Sequence, residues 1–286
     1  MPELPEVEAL ARFLAERAVG RAITGVAVGN ISVLKTYSPA ATELVGCGVV
    51  GVSRHGKWLD LATSGPHLLF HLSRAGWLRW YDAAPVTVVR PGKSPIALRV
   101  VLDDGAGFDL TEAGTRKRLA VHVVVAPDDV ERVGSLGVDP LAPEFTVERL
   151  AGLVAARNQQ VKGLLRDQHL IAGIGNAYSD EILHAARMSP FALTRSLTAD
   201  DVARLHAVTV QVLSEALAAA SGRPAAELKD AKRRALRVHG RAGQPCPVCG
   251  DVVREVSFAD SALQYCPTCQ TGGRPLADRR MSRLLR

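Results

Sequence analysis

The sequence predicts an α+β protein: a β-rich N-terminal part, then a helical part, then a small metal-binding module. Three observations predict this order. Short β-type runs fill residues 23–125, helical periodicity dominates from about residue 144, and four cysteines stand in two close pairs near the C-terminus. Many short strands at regular spacing are typical of a β-sandwich or barrel, and 286 residues are enough for two domains with separate cores.

The first element is an amphipathic helix, which the apolar spacing predicts from Pro5 to Ala18. Gly20 ends it. Taken alone, the opening residues MPELPEVE are best explained as an ordinary helix start. Proline suits the first helical turn, and the acidic residues Glu6 and Glu8 suit the positive end of the helix dipole.

The same opening residues also permit a chemical interpretation. Removal of Met1, which a small second residue favours, would leave Pro2 with a free secondary amine. Such an amine can attack sugar C1′ to form an iminium intermediate, and an α-amino group titrates near pH ~8, so a useful fraction is unprotonated. Glu3 stands beside it as an acid within reach of the same reacting atom.

Strands are predicted between residues 23 and 125 from the runs ITGVAV, LVGCGVVGV, KWLDLAT, HLLFHL, WLRWY, ALRVVL and RLAVHVVVA. The DDG at Asp103 to Gly105 is a hairpin signal between two of them. Cys47 lies in one of these apolar runs, and we expect it to be a small buried core residue.

Residues 134–143, GSLGVDPLAP, are rich in Gly and Pro and are predicted to be a linker. We therefore expect an N-terminal domain over 1–133, a helical domain over 144–240, and a metal module with a basic tail over 241–286. Thr146 is a candidate N-cap for a helix that extends to Ala156. Further helices are predicted for Val161 to Leu165, Ala177 to Ala186 and Ala199 to Ala220.

A Gly-Ile-Gly-Asn turn precedes one of these helices. Gly173 and Gly175 lead into it, and Asn176 stands at its mouth. Such a turn lets backbone N–H groups approach an anion closely. A tight helix–helix turn explains the same residues, and the two interpretations are compatible.

The two cysteine pairs are Cys246-x-x-Cys249 and Cys266-x-x-Cys269, with 16 residues between them. This spacing suits two knuckles that give four thiolates to one tetrahedral Zn²⁺. Four sulfurs leave no open coordination position, so the zinc is expected to be structural. The intervening residues alternate like a β-hairpin, which predicts a zinc ribbon that needs its metal to fold.

Positive charge is concentrated near the C-terminus. Residues 229–286 carry 12 Lys and Arg against 5 Asp and Glu, whereas the remaining 228 residues carry 23 against 24. A basic module on a near-neutral body indicates a polyanionic partner, most obviously nucleic acid. No run of 18 apolar residues predicts a membrane span, and no secretory signal is evident. With cysteines clustered for metal, we expect a cytoplasmic, DNA-associated protein.

Several strings support a resemblance when they are taken jointly: PELPEVE, RHGKWL, KGLLRDQHLIAGIGNAYSDEIL, HGRAGQPCPVCG and YCPTCQ. In this order they resemble the formamidopyrimidine-DNA glycosylase/endonuclease VIII family, from Pro2 to Gln270. The resemblance implies an N-terminal β-sandwich that carries the first helix, then a helix–two-turns–helix DNA-binding domain with the zinc finger. It also implies damaged double-stranded DNA as the partner, in a cleft between domains, and one cleft per chain makes a monomer sufficient.

The resemblance further implies a DNA glycosylase with abasic-site lyase activity in base-excision repair. Pro2 would attack C1′ of the damaged nucleotide, the base would depart, and a Schiff base would form. Elimination would then break the strand on both sides of the sugar. Glu3 resembles the residue that protonates the opening sugar and shuttles the proton for elimination, and Glu6 resembles a supporting acid.

Groups that bind DNA phosphates are implied in the same way. Lys57, on a hairpin turn, is similar to the family lysine that contacts phosphate and assists elimination. Lys162 and Asn176 resemble the pair that binds the phosphates flanking the lesion, and Gly175 belongs to the same turn. A base inside the stack cannot expose C1′ to an amine, so the nucleotide must be flipped out.

The finger departs from the family pattern. Five residues before the third cysteine, where the family carries an arginine that binds the phosphate at the lesion, this chain has Ser261. A hydroxyl cannot replace the charge and the forked donors of a guanidinium. Either affinity is lower or another cation substitutes. Arg274, Arg279 and Arg280 are candidates, and a solvated face is the alternative for them.

The residues that fill the emptied base stack differ as well. HLSRAG places Arg74 where the formamidopyrimidine branch has methionine, and GTRKRL replaces the usual DPRRFG loop. Arg116 is expected to keep the arginine that faces the orphaned base. Arg118 falls where an aromatic wedge is expected. A guanidinium plane can stack on bases, and a plain surface position explains Arg118 equally well.

Residues 221–240 are short for the loop that covers a flipped 8-oxoguanine in that branch. Oxidised pyrimidines, ring-opened purines and abasic sites therefore compete as substrates. The main hypothesis is a bifunctional glycosylase/lyase that removes oxidised bases. The alternative is a non-excising protein that binds lesions or abasic sites on the same scaffold.

Overall fold

A computed structural model describes residues 1–90, 92, 95–113, 117–258 and 261–277. The chain divides into two compact units. Unit 1 contains residues 1–136 and 220–230, and unit 2 contains the described residues of 137–219 and 231–286. The change from unit 1 to unit 2 after Leu136 falls inside the stretch predicted to be a linker, 134–143.

Unit 1 is a β-sandwich with an N-terminal helix, as the sequence predicts. Its sheets are both antiparallel and four-stranded, with orders β1-β6-β7-β5 and β2-β3-β4-β8. The elements are α1 (Leu4–Ala18), β1 (Ile23–Val28), β2 (Val49–His55), β3 (Trp58–Thr63), β4 (His67–His71), β5 (Gly76–Tyr81), β6 (Ile96–Leu102), β7 (Gly107–Glu112), β8 (Ala120–Val124) and α2 (Glu131–Gly134).

Apolar alternation builds the core of unit 1. Leu59 and Leu61 of β3 face inward with Phe70 of β4, and the apolar face of α1, including Leu10 and Leu14, packs into the same core. The predicted turn at residues 103–105 joins β6 to β7.

The orientation of α1 follows from a contact at each of its ends. Gly20 N–H, just past the helix, donates to Val49 O at the start of β2 (2.9 Å). Near the other end, Glu8 pairs with Arg54 close to the end of β2 (3.0 Å). Helix α1 therefore runs antiparallel to β2, and its N-terminus lies at the end of the sandwich where β2 turns into β3.

Four chain segments meet at that end. His71, the last residue of β4, pairs with Trp58 at the start of β3 and with Ala120 at the start of β8. Gly76 pairs with Glu112, so the β4–β5 turn and the described residues of the β7–β8 connection, 113 and 117–119, lie at this end of both sheets. We call the α1 N-terminus, the β2–β3 turn, the β4–β5 turn and the β7–β8 connection the loop end of unit 1.

Residues 220–230 differ from the sequence prediction, which places them in the helical domain. Ala225 and Leu228 are buried in the core of unit 1, and the indole N–H of Trp77 donates to Ala225 O at 3.1 Å. Burial of these apolar side chains accounts for the return of the chain to unit 1. Cys47 also differs, because it lies just before β2 and is only half-buried.

Unit 2 contains the predicted helices and the finger hairpin. Its elements are α3 (Val147–Ala156), α4 (Val161–Arg166), α5 (Asn176–Ala185), α6 (Ala199–Ala220), α7 (Leu228–Ala235), β9 (Arg254–Ser257), β10 (Ala262–Tyr265) and α8 (Pro267–Thr271), with the ends of α6 and α7 shared with unit 1. Thr146 caps α3 by accepting Arg149 N–H at 3.1 Å, which confirms the predicted N-cap. Within the described ranges, no helix is both long and apolar enough to cross a bilayer.

Candidate functional site

The N-terminal residues form a buried acidic group at the loop end. Pro2 is buried, and Glu3 and Glu6 are each 2% exposed. Glu3 occupies the N-cap position of α1, and its backbone N–H donates to Glu6 Oε2 at 2.9 Å. The Glu6 carboxylate thus fixes the backbone beside Pro2. While Met1 is attached, the Pro2 nitrogen is an amide, so the amine requires removal of Met1.

Lys57 sits in the two-residue turn between β2 and β3. Gly56 precedes it with φ +56°, a positive angle at the first turn position that is typical of tight hairpins. Arg54 secures this turn: Nε donates to Glu8 Oε2 (3.0 Å) and Nη1 to Gly56 O (3.2 Å). One guanidinium therefore ties the Lys57 turn to α1, a role that no local sequence signal indicates.

Arg74 and Arg118 are exposed at the loop end, on the β4–β5 turn and the β7–β8 connection. Ser73 links these segments, because its hydroxyl donates to Arg118 O at 2.6 Å. Glu112 Oε1 accepts the N–H groups of Arg118 (2.7 Å) and Leu119 (3.1 Å). The predicted site residue Arg116 lies outside the described residues.

His71 lies between these groups and Lys57. Its Nδ1 is 3.1 Å from Ser73 Oγ and 3.2 Å from Ser73 N. Burial first, and then the charges of Lys57 and Arg132, lower the pKa of His71 to about 4. The imidazole is therefore neutral at physiological pH, and one tautomer accepts the Ser73 N–H while the other donates to the hydroxyl.

This histidine predicts a pH dependence of stability. An unfolded chain regains a histidine pKa near ~6.5. As the pH falls from 6.5 to about 4, the unfolded state binds a proton that the folded state does not. The contribution of His71 to the free energy of unfolding is therefore complete above pH 6.5. It is lost as the pH falls toward 4, by up to about 3 kcal/mol.

The replacement His71→Asn is expected to flatten the pH dependence of the free energy of unfolding across this window, measured by urea denaturation. His169→Asn, at an exposed position, is the control that should retain the wild-type slope. A wild-type slope in His71→Asn would contradict a neutral imidazole in the folded state.

In unit 2, Lys162 is buried at 5% exposure. Its ammonium contacts Asp180 Oδ1 (2.5 Å) and donates to Ser179 Oγ (2.8 Å) and Asn176 O (3.3 Å). The ammonium that the resemblance assigns to a DNA phosphate thus contacts a fully buried carboxylate inside unit 2. These contacts attach α4 to the first turns of α5.

The Gly-Ile-Gly-Asn turn is held from two sides. Gln168 accepts the Gly173 N–H (3.0 Å) and donates to Ile174 O (2.8 Å). Gly175 is the buried N-cap of α5. Asn176 Nδ2 donates to Ala262 O at the start of β10 (2.7 Å), so the mouth of α5 is fastened to the finger hairpin.

Asp180 and Glu181 anchor the chain that enters the finger. Asp180 Oδ2 accepts from His239 Nδ1 (2.7 Å) and Gln264 N (3.2 Å). Glu181 accepts the N–H groups of three consecutive residues, 237–239, at 2.8–2.9 Å. Burial raises the pKa of Glu181, and these N–H donors lower it in part. No local sequence signal indicates the role of either carboxylate.

The four predicted cysteines meet in one cluster. Their sulfurs lie within 4.8 Å of one another, with Cys249 and Cys266 at 3.3 Å and Cys246 and Cys269 at 3.9 Å. Ligands about 2.3 Å from a tetrahedral Zn²⁺ lie ~3.8 Å apart, so the set fits one structural zinc. His184 Nε2 lies 3.3 Å from Cys246 Sγ, where an N–H can support a metal-bound sulfur.

Ser261 closes the finger hairpin, since its carbonyl accepts the Phe258 N–H at 2.7 Å. Arg274 is exposed after α8, and Leu276 N–H donates to the Tyr265 hydroxyl at 2.7 Å. Arg279 and Arg280, the other cations considered as substitutes for the missing finger arginine, lie outside the described residues.

The buried ion pair gives a stability prediction. Asp180→Asn is expected to lower the free energy of unfolding by about 3–5 kcal/mol, because Lys162 would stay buried without its carboxylate. Asp200→Asn, an exposed acid in the first turn of α6, should cost only about 0.3–1 kcal/mol. Urea denaturation measures both, and equal losses would rule out the special role of the Asp180 pair.

Three family models match the chain in order. The formamidopyrimidine-DNA glycosylase N-terminal domain matches residues 1–121, the formamidopyrimidine-DNA glycosylase H2TH domain matches 136–226, and a zinc finger found in FPG and IleRS matches 243–272. These ranges contain the buried N-terminal acids, the Gly-Ile-Gly-Asn turn and the cysteine cluster.

Curated relatives and solved structures point to the same family as these three models. A formamidopyrimidine-DNA glycosylase of Symbiobacterium thermophilum is 38% identical over 94% of this chain and 89% of its own length. An uncharacterized formamidopyrimidine-DNA glycosylase-like protein of Mycobacterium tuberculosis is 57% identical over 53% of this chain and 95% of its own. The Lactococcus lactis Fpg, solved with abasic-site DNA, has TM-score 0.82 at 25% identity, over 94% of this chain and 99% of that one.

Proposed function

Because this chain belongs to the formamidopyrimidine-DNA glycosylase family and is a DNA glycosylase of base-excision repair, we propose a specific chemistry for it. The protein removes oxidised bases from damaged double-stranded DNA through an N-terminal proline Schiff base. It then nicks the resulting abasic site by β,δ-elimination. One set of reacting groups per chain is sufficient, so the active form is a monomer.

The observation that carries this proposal is the placement of Pro2 beside two buried carboxylates at the positive end of α1. The helix dipole disfavours a protonated amine, whereas the acids favour one. The hydrogen bond from the Glu3 backbone N–H to Glu6 restricts the orientation of the neighbouring Pro2 nitrogen. A pre-set orientation lowers the barrier to attack on C1′. A surface proline with ordinary helix-capping neighbours would not need two acids at 2% exposure.

The proposed reaction has four steps. The neutral Pro2 nitrogen forms a bond to C1′ as the bond from C1′ to the base breaks, and the proton released from that nitrogen neutralises the departing base. Glu3 protonates the ring oxygen as the sugar opens, which gives the iminium. Loss of a C2′ proton expels the 3′ phosphate, and a second elimination expels the 5′ phosphate. Each proton transfer needs an acid or base within hydrogen-bond reach of the sugar.

The remaining predicted residues take DNA-binding roles in the proposal. Lys57 contacts a phosphate near the reacting sugar, as a compact point charge suits. Arg74, Arg116 and Arg118 fill or face the gap left by the flipped nucleotide.

The unit 2 residues have separate roles. Gly175 and Asn176 present the α5 N-terminus to a phosphate, and Ser261 borders the same hairpin. For Lys162 we propose a positional role, because its buried ammonium braces the carbonyl of Asn176. The zinc, bound by the four cysteines, would hold the hairpin that contacts Asn176.

Borohydride trapping tests the proposal. Protein with Met1 removed is incubated with duplexes that carry an abasic site, an oxidised pyrimidine, a ring-opened purine or 8-oxoguanine, and borohydride is added. A covalent complex is expected with at least one duplex. The matched control is the same chain with an uncleavable N-terminal extension, which keeps the fold and turns the Pro2 nitrogen into an amide. Trapping by the blocked chain would exclude Pro2 as the nucleophile.

The same assay distinguishes the proposed glycosylase/lyase from a second candidate function, binding without excision. Ser261 in the finger and Arg74 at the loop end favour a protein that binds lesions without excising them. That function gives tight binding to abasic-site DNA by fluorescence anisotropy, with no trapped complex on any duplex. Binding through phosphates should weaken steeply with added salt in either case.

A further inference from the structure

Ser73 has an unusual backbone conformation for its residue type. Its φ is +53°, in the left-handed region that favours glycine, and Ser73 is one of two such non-glycine residues among those described. Strain of this kind persists only where surrounding contacts hold it, and it is concentrated at functional positions. A glycine would adopt this angle without strain, so the hydroxyl is the feature that distinguishes serine here.

The topology explains what the hydroxyl reaches. Strands β4 and β8 are neighbours in one sheet and β5 and β7 are neighbours in the other, so the β4–β5 turn lies beside the described residues 117–119 that lead into β8. Ser73 Oγ bridges them by donating to Arg118 O at 2.6 Å. Arg74 follows Ser73 directly, so the bridge joins two segments that each carry an exposed arginine.

A neighbouring side chain contacts the backbone at each end of this Ser73–Arg118 hydrogen bond. The Ser73 backbone lies against the neutral His71 (3.2 Å), and Glu112 Oε1 grips the Arg118 N–H (2.7 Å). Neither arginine can therefore shift its backbone without disturbing the other segment. In a packed network of this kind the effects of two residues are coupled rather than additive.

We propose that Ser73 is a positioning residue that joins the Arg74 turn to the Arg118 segment, so that the two guanidiniums engage lesion-containing duplex DNA as one unit. This inference rests on the proposed function. The partner has the chemistry that paired guanidiniums recognise: a gapped base stack, whose faces accept a guanidinium plane, beside phosphates. The pairing sets how strictly the protein discriminates among the bases opposite the lesion.

Three substitutions separate the hydroxyl from the backbone. Ser73→Gly removes the hydroxyl and relieves the strain, Ser73→Ala removes the hydroxyl and keeps the strain, and Ser73→Asn restores a donor on a residue that tolerates positive φ. A merely structural role predicts that Gly is harmless and Ala harmful. The proposed role predicts that Gly and Ala are both defective and that Asn recovers part of the loss.

The first measurement is independent of DNA. Hydrogen exchange of the Arg118 and Leu119 amides is expected to accelerate about tenfold in Ser73→Gly and Ser73→Ala, the effect of losing one hydrogen bond of ordinary strength. Unchanged exchange would show that the bridge does not hold the connection, and would overturn the proposal at its first step.

The second measurement is a double-mutant cycle with Arg74→Ala and Arg118→Ala, read as affinity for duplexes with an abasic-site analogue opposite each of the four bases. In the wild-type background the combined loss is expected to depart from the product of the single losses by about fivefold. In the Ser73→Gly background, the combined loss in affinity should equal the product of the single losses. The differences in affinity among the duplexes with the four opposite bases should also become smaller. Coupling that survives in Ser73→Gly would overturn the inference. Failure of the wild-type protein to bind any of these duplexes would instead defeat the proposed function.

Discussion

Replacing Glu3 by glutamine is expected to lower the rate of base release by about 10²–10⁴-fold, the usual contribution of a positioned general acid. Glutamine has nearly the same shape, and the backbone N–H that Glu6 accepts is unchanged. The loss should therefore be in the chemical step, while the midpoint of thermal unfolding stays within a few degrees of wild type. Single-turnover excision with excess protein measures the rate without a contribution from product release.

Glu8→Gln on the same helix is the matched control. Glu8 is half-buried and holds Arg12 and Arg54 through its carboxylate, so its replacement disturbs the support of the Lys57 turn and leaves the acid beside Pro2 intact. We expect a smaller decrease that affects strand scission at least as much as base release. Equal excision rates in Glu3→Gln and wild type would remove Glu3 from the proposed chemistry.

Removal of zinc is expected to unfold the finger while unit 1 remains folded. A structural zinc contributes on the order of 10–16 kcal/mol of apparent binding free energy at neutral pH, far more than the short β9–β10 hairpin can supply. Hydrogen exchange of residues 254–257 and 262–265 should approach the unprotected rate after chelation. Affinity for abasic-site DNA should fall sharply, because Asn176 loses the Ala262 carbonyl and Asp180 loses the Gln264 amide.

Cys266→Ala should reproduce the effect of the chelator, since Cys266 is fully buried in the cluster. Cys47→Ala is the control: this cysteine belongs to unit 1 and lies outside the cluster, so one zinc per chain should remain by atomic absorption. Protection of the finger hairpin that survives complete metal removal would contradict a zinc-dependent fold.

Features with a local chemical signal could be predicted from the sequence. The cysteine spacing gives the zinc cluster, Thr146 gives the start of α3, and the alternation of short runs gives the sandwich. Each signal lies within a few residues of the element that it specifies. The structure confirms these predictions, because no contact with residues far along the chain overrides the local signals.

Other features depend on partners far along the chain. Asp180 meets His239 and Gln264, which are 59 and 84 residues away, and no pattern around Asp180 indicates that it is a buried hub. The family resemblance assigns Lys162 to a DNA phosphate, and only the surrounding packing reveals that its ammonium contacts the Asp180 carboxylate inside unit 2. Ser73 belongs to the same class, because its partner Arg118 is 45 residues away.

The return of residues 220–230 to unit 1 makes the connectivity of the chain discontinuous. The backbone passes between units after residues 136, 219 and 230, so neither unit corresponds to one uninterrupted segment of the gene. A chain cut after residue 136 would lack Ala225 and Leu228 and would open part of its own core to water. A single proteolytic cut at any one crossing would leave the units covalently joined through the other two. Releasing either unit from the chain therefore requires cuts at more than one crossing, although each unit has its own core.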